Sequence, residues 1–311
     1  MTFALDDFRR MYADPIRHAA MTAALKATVT PGSTVVDLGS GPSIYGFVAL
    51  RLGASHVYAI DPDPSVGVGQ AIAARNGLAE QMTFHQELSF DVDLPERVDV
   101  VIADLRDSLP FNERNLDSMC DARLRYLKAG GVLIPKFDRV FIAPIAAPSL
   151  ARKMDGWLDN PAGLDMQPAL DCLANRIHYD HLSVEQLRSE PVEFATVNYG
   201  VDRDGSVTTC LTTSVEITSP GRVDALALWF ETVLTDGVEM QSGPGGATIY
   251  RTLQLPVFPA PDLEKGDHFE FSVEARFTGK GYAWMWSGGI DGERRCNLLS
   301  VVAPPRNPAP P

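Results

Sequence analysis

STVVDLGSGPS (33–43) is a β-branched run that ends in an acid and passes straight into a glycine-rich turn. Thr34, Val35 and Val36 suit a strand. Gly39 and Gly41 suit a strand-to-helix turn whose backbone can approach a ligand closely. The stretch therefore predicts a strand that carries Asp37 near its carboxyl end and opens into a helix. Outward from it the arrangement recurs. A helical pattern through Phe47, Ala49, Leu50 and Leu52 closes at Gly53, and SHVYAIDPDPS (55–65) is a second apolar strand, ending in Asp61. A helix over about 65–76 and a short strand at MTFHQ (82–86) follow. RVDVVIADL (97–105) is a fourth strand, ending in Asp104. NLDSMCDARLRYLKAGG (115–131) predicts a helix stopped by Gly130 and Gly131, and VLIP (132–135) a fifth strand. Strands alternating with helices at this spacing mean a doubly wound, Rossmann-like parallel sheet, which binds ligands beyond the carboxyl ends of its strands.

Ahead of this unit, residues 5–27 carry a helical pattern with a break expected near Asp14 and Pro15. Behind it, from FDRVFIAPIAAP (137–148) onward, short strands and turn signals predict an antiparallel β domain, sandwich or barrel. Helical sequence over about 152–188 interrupts that domain, and the proline-rich end APPRNPAPP (303–311) is expected to be disordered. The expected divisions are 1–30 for the leading helices, 31–140 for the parallel-sheet domain, 141–300 for the β domain and 301–311 for the tail.

Composition narrows the function classes. The chain has 311 residues and a net charge of −13, which argues against a nucleic-acid partner, since such binders carry basic patches. No apolar run is long enough to span a bilayer, and the charged start lacks a signal-peptide core. A cytoplasmic protein is expected. Cys120, Cys172, Cys210 and Cys296 form no CxxC pair, and none of the six histidines has metal-ligand spacing, so no metal site is expected.

The acids at the strand ends point to a cofactor. Asp37 lies two residues before Gly39, where it suits an ammonium, and Asp61 follows Gly39 by 22 residues, the usual place to grip a ribose diol. The third glycine of a dinucleotide fingerprint is Ser43 here. S-adenosylmethionine, cationic at sulfur, fits this acidic turn better than the pyrophosphate of NAD, although NAD or no ligand at all stay open on the turn alone.

With these motifs together the chain resembles the protein arginine methyltransferases over nearly its whole length. MYADPIRHAAMTAAL (11–25) resembles the helix that closes over S-adenosylmethionine in that family, which implies Arg17 on the methionine carboxylate. VVDLGSGPSIYGFVALRLGASHVYAID (35–61) matches the cofactor segment. It implies Asp37, Gly39 and Gly41 on the methionine side, Asp61 on the ribose, and Ser89 or its neighbour Glu87 at the adenine. DVVIADLRDSLPFNERNLDSM (99–119) resembles the hairpin in which two carboxylates nine residues apart clamp a guanidinium, so Asp104 and Glu113 are the implied catalytic pair. GLDM (163–166), with the helical interruption, resembles an arm for homodimerisation, and ALALWFETVL (225–234) with GPGGATIYRTLQLP (243–256) resembles the family's β-barrel. The implied fold is a Rossmann-like parallel-sheet methyltransferase domain followed by an antiparallel β-barrel domain with a helical dimerisation arm.

The departures concentrate on the acceptor side. Asp104 replaces a glutamate, Leu105-Arg106-Asp107-Ser108 replaces Trp-Met-Gly-Tyr, and Thr248-Ile249-Tyr250 replaces Thr-His-Trp. Arg106, Asp107 and Tyr250 are therefore candidate acceptor-binding residues, with neutralisation of Asp104 or Asp107 the alternative role for Arg106. Three functions fit: N-methylation of a guanidino or amino group on a small molecule or biosynthetic peptide; O-methylation of a carboxylate or hydroxyl in a natural product or modified peptide; and a non-catalytic partner that keeps the fold.

Overall fold

The computed structural model describes residues 5–160, 162–201, 207–290 and 293–301; the expected tail, apart from Val301, lies outside them. Helices α1 (Leu5–Ala13) and α2 (Pro15–Thr28) are separate. Asp14 between them is extended and accepts the amides of Ile16 and Arg17, with Pro15 opening α2. A proline at the first helical position loses no hydrogen bond, and an aspartate before it satisfies the orphan amides behind.

The parallel-sheet unit runs β1 (Thr34–Leu38), α3 (Ile44–Arg51), β2 (His56–Ile60), α4 (Val66–Arg75), β3 (Met82–His85), β4 (Val98–Ala103), α5 (Asn115–Arg125) and β5 (Leu127–Ile134). Its five strands lie in the order β3-β2-β1-β4-β5, and every pairing is parallel. Central β1 is buried at all five positions, as a strand covered on both faces must be. Its side chains alternate between two cores. Val35 joins Val57, Val100 and Ile102 against Met21, Ala24 and Leu25 of α2. Val36 and Leu38 join Val101 and Ala103 against Leu116, Met119 and Ala122 of α5.

The second core continues without a break into the β domain, through Val140, Leu226, Phe269 and Trp284, and so fixes the barrel against the sheet. That domain comprises β6 (Phe137–Ile145), α6 (Pro148–Leu158), α7 (Gln167–Ala174), β7 (His178–Asp180), β8 (Val192–Asn198), β9 (Thr209–Glu216) and β10 (Gly221–Arg222). It continues with β11 (Ala225–Thr235), β12 (Val238–Gln241), β13 (Thr252–Pro256), β14 (Asp262–Leu263), β15 (His268–Phe277), β16 (Tyr282–Ile290) and β17 (Glu293–Val301). One antiparallel sheet runs β7-β13-β11-β6-β8 with β12 on β11, a second runs β17-β16-β15-β9, and β10 pairs β14.

Two sequence expectations need correction. Gly130 and Gly131 do not stop α5. The helix ends at Arg125, and both glycines lie inside β5. The ladder pairs Val98 with Leu127 and Val100 with Val132, so residues 128–131 form an irregular excursion. A methyl at Gly131 would press on the Asp99 carbonyl and the Leu127 side chain, so glycine serves close strand approach here. The helical arm is also shorter than 152–188, its helices being α6 and α7. His178 to Asp180 pair antiparallel with β13, Tyr179 opposite Leu253. This pairing takes them into the barrel sheet. No described helix is long and apolar enough to cross a membrane.

Candidate active site

Three adjacent strands, β2, β1 and β4, present their carboxyl ends together, and each brings an acid. Beyond β1 the chain turns through Gly39 and Gly41, whose φ values are 66° and 50°. The Gly39 and Ser40 amides both bond the Ile60 carbonyl, at 2.8 and 3.2 Å. A methyl at Gly39 would overlap Leu105, and one at Gly41 would overlap the Phe8 ring. Asp37 is buried. Its Oδ2 accepts the Ser43 hydroxyl at 2.8 Å and the Gly46 amide at 3.0 Å, at the amino end of α3. Burial pushes its carboxyl up to about 7, against the pull of those two bonds. Asp61 bridges the turn, accepting the Gly41 amide on Oδ2 and the Asp63 amide on Oδ1, each at 2.8 Å. Burial raises its carboxyl as well.

Ser89 opens a short 3-10 turn, Ser89–Asp91, fixed from the end of α5. Arg125 donates to the Ser89 and Val92 carbonyls at 2.6 and 2.8 Å, and the Tyr126 hydroxyl reaches the same two oxygens. At the other end of α5, the Arg114 guanidinium lies 3.9 Å from the centre of the Phe90 ring. The turn expected at the adenine is thus tied to the hairpin that carries Glu113.

Asp104 forms the third tip, and it faces its own chain. Its Oδ1 accepts Nε and Nη2 of Arg106 at 3.1 and 2.9 Å. Its Oδ2 takes Nε of Arg17 at 2.9 Å, Nη2 of Arg17 at 2.8 Å and the Tyr250 hydroxyl. The two guanidiniums outweigh desolvation and hold the carboxyl well below the usual carboxylate range. Arg17 also meets the Tyr250 hydroxyl at 2.9 Å, the Tyr45 hydroxyl at 3.0 Å and the Met11 carbonyl at 3.2 Å. Arg106 continues to Asp138 at 3.0 Å, and Asp138 accepts the Tyr199 hydroxyl at 2.6 Å.

This placement bears on two of the candidate residues. Arg106 is 1% exposed and engaged by two carboxylates, so it faces the protein interior and not an acceptor. Tyr250 points its hydroxyl at Asp104 and Arg17. The outward acids of the hairpin are Asp107 and Glu113, both exposed residues. Both adopt left-handed backbone, with φ of 52° and 39°, a conformation that non-glycine residues rarely take outside functional turns. Burial of its carboxyl raises Asp107 above the ordinary value; Arg251 opposes the rise, while Asp104 and Glu113 add to it. Arg251 lies 5.7 Å from the centre of the Tyr179 ring.

Sequence reasoning missed Asp14, Tyr45, Asp138, Tyr179, Tyr199 and Arg251. The Asp-Pro pair at the start of a helix could have signalled Asp14 as a cap. Nothing local marks Asp138 or Tyr199.

Comparison with known proteins bears on the fold. The family model for ribosomal protein L11 methyltransferase (PrmA) matches residues 19–134. Among solved structures, the chain superposes on the Trypanosoma brucei PRMT1 enzyme-prozyme heterotetrameric complex with AdoHcy at a TM-score of 0.83 and 18% identity, covering 94% of this chain and 98% of that one. The chain has the class I methyltransferase fold, and it is similar to the arginine methyltransferases. Arabidopsis thaliana protein arginine methyltransferase 10 shares the fold at a TM-score of 0.77 and 20% identity, over 95% of this chain and 97% of that one. In sequence, the chain is 28% identical over 257 residues to ribosomal protein arginine N-methyltransferase rmt3 of Schizosaccharomyces pombe, covering 78% of this chain and 47% of the relative. It is 30% identical over 234 residues to probable histone-arginine methyltransferase CARM1 of Oryza sativa subsp. indica, covering 70% and 44%. The chain spans about half the length of the curated relatives it matches.

Proposed function

We propose that the protein is a cytoplasmic, S-adenosylmethionine-dependent methyltransferase that methylates a nitrogen, guanidino or amino, on a small molecule or biosynthetic peptide. The observation that carries this reading is the convergence of Asp37, Asp61 and Asp104 at three neighbouring strand ends around the left-handed turn at Gly39 and Gly41.

The residues present fit S-adenosylmethionine, which when bound supplies a methyl group on a cationic sulfur. Asp37 in its ionised form suits an ammonium. Asp61, with lone pairs left on both oxygens, accepts two ribose hydroxyls. Arg17, buried between α2 and the sheet, supplies the guanidinium for a carboxylate. The Ser89 turn provides a rigid wall for the adenine.

On the acceptor side, Glu113 and Asp107 are the outward carboxylates. A carboxylate that grips a cationic nitrogen group localises its charge and aligns the reacting nitrogen. Asp104 acts one step back, orienting Arg17 and Tyr250. The exposed Trp157, Leu158 and Leu164 of the arm, at 43%, 59% and 65% exposure, form the surface through which two copies would pair as a homodimer.

Calorimetry with S-adenosylhomocysteine tests the cofactor reading, and loss of that binding in Asp61→Ala is the expected result. Mass spectrometry of guanidino and amino compounds should then find a product heavier by one methyl, absent with Glu113→Gln. Turnover confined to neutral or anionic acceptors would overturn the nitrogen assignment. The saturation of Asp104 favours a second reading, a non-catalytic partner. Tight S-adenosylhomocysteine binding without any turnover would establish it.

A further inference from the structure

Asp104 has no acceptor capacity left. A carboxylate offers about four lone-pair sites, and five donor atoms of this chain crowd the two oxygens of Asp104, namely Nε and Nη2 of Arg106, Nε and Nη2 of Arg17, and the Tyr250 hydroxyl.

Arg106 is enclosed as well. Its third nitrogen, Nη1, bonds Asp138, which is itself fully buried, and the Phe230 ring lies 4.9 Å from its Cζ. Phe230 in turn packs edge-on against Tyr250, 5.1 Å between centres. Behind Asp138, the Tyr199 hydroxyl is also met by Asn115 Nδ2 at 3.4 Å, and Asn115 bonds the Pro110 carbonyl at 2.8 Å. The beginning and the end of the hairpin are therefore both anchored to one buried acid of β6.

We propose that Arg106 is a specificity-determining residue, a resident guanidinium that permanently fills Asp104 and so keeps that carboxylate from gripping a cationic acceptor. This rests on the methyltransferase reading above and narrows it. A guanidinium is a planar fork best held by paired carboxylates, whereas an ammonium is a compact point charge that a single carboxylate can hold. With Asp104 closed, Asp104 and Glu113 cannot pair on an incoming guanidinium.

The test compares acetyl-Arg-Gly-Gly-amide with its citrulline counterpart, which has the same shape and no charge. Affinities are measured by calorimetry on the full chain with S-adenosylhomocysteine present. Wild-type protein is expected to favour the arginine peptide only modestly, through Glu113 and Asp107. The Arg106→Met/Asp138→Ala double variant removes both members of the buried pair and strands no charge. Its arginine-over-citrulline ratio should exceed that of the wild type about tenfold, the scale of one charge-assisted pair. Adding Asp104→Asn should erase that gain. The same ratio in wild type and double variant overturns the proposal.

Should the double variant fail to melt cooperatively, the wild-type protein decides alone. The Arg106 Nε–H signal in a nitrogen–proton spectrum is expected to stay unchanged on titration with methylguanidinium, and saturable displacement of that signal overturns the proposal. A chain that does not bind S-adenosylhomocysteine would defeat the methyltransferase reading. The same peptide ratios, measured without it, would still decide the role of Arg106.

Discussion

Asp14 is hydrogen-bonded to the backbone amide of Ile249 at 2.6 Å, across a sequence separation of 235 residues. Its other oxygen caps α2 through the amides of Ile16 and Arg17, at 2.9 and 3.0 Å. One carboxylate thus joins the cofactor-side helix to the barrel loop, and the next residue in that loop, Tyr250, meets Arg17 and Asp104. Asp14→Ala removes a cap worth about 1 kcal/mol and leaves the Ile249 amide unpaired. The expected loss is about 2 kcal/mol, read from chemical denaturation, together with weaker S-adenosylhomocysteine binding.

Asp37 makes stability and ligand binding depend on pH. Its carboxyl in the folded protein is pushed up to about 7 by burial, against about 3.9 in an unfolded chain. The folded state therefore retains a proton that the unfolded state releases. The associated stability is fully present below about pH 4 and is lost as pH rises to about 7. Asp37→Asn should raise the melting temperature relative to wild type at pH 8 and change it little at pH 4. An ammonium ligand favours the ionised form. S-adenosylhomocysteine affinity should therefore increase from pH 6 to pH 8 with proton release, which calorimetry in buffers of different ionisation heat would show.

Gly39→Ala and Gly41→Ala test the cofactor turn. Each position has positive φ, and a methyl would overlap Leu105 in one case and Phe8 in the other. Left-handed strain and overpacking together cost about 2–4 kcal/mol. Both variants should melt earlier and bind S-adenosylhomocysteine at least about tenfold more weakly.

Asp104→Asn tests the buried pairing. It deprives two buried guanidiniums, Arg17 and Arg106, of a shared counter-charge. Breaking one partner of such a group costs about 3–5 kcal/mol. Urea denaturation should show a loss of that order, and a loss under about 1 kcal/mol would mean that the guanidiniums find other partners.

Arg114→Ala tests the link between the acceptor hairpin and the Ser89 turn. Arg114 is about half exposed, so its stacking on Phe90 contributes only about 0.5–1 kcal/mol. The melting temperature should change little while S-adenosylhomocysteine affinity falls severalfold, because the turn it steadies faces the expected adenine.

Much of this was legible without coordinates, for local reasons. The break at Asp14-Pro15, the strand at 34–38 and the glycine turn after it follow from backbone preferences that act within a few residues. The errors were equally physical. Gly130 and Gly131 read as a helix stop, yet β5 uses glycine where its backbone passes close to Asp99. His178 to Asp180 read as helical because nothing nearby reveals Leu253 as their strand partner.

The sequence by itself determined the order of strands and helices, and with it the placing of Asp37, Asp61 and Asp104 at neighbouring strand tips. Backbone propensity and side-chain periodicity are local, and parallel topology follows from them. Only the tertiary structure decided which way Asp104 faces. Its partners come from α2, from its own hairpin and from the barrel, and Arg17 and Tyr250 alone are 233 residues apart in sequence. Buried charge must find opposite charge wherever the chain brings it, so pairing in the interior is a property of the whole packed molecule.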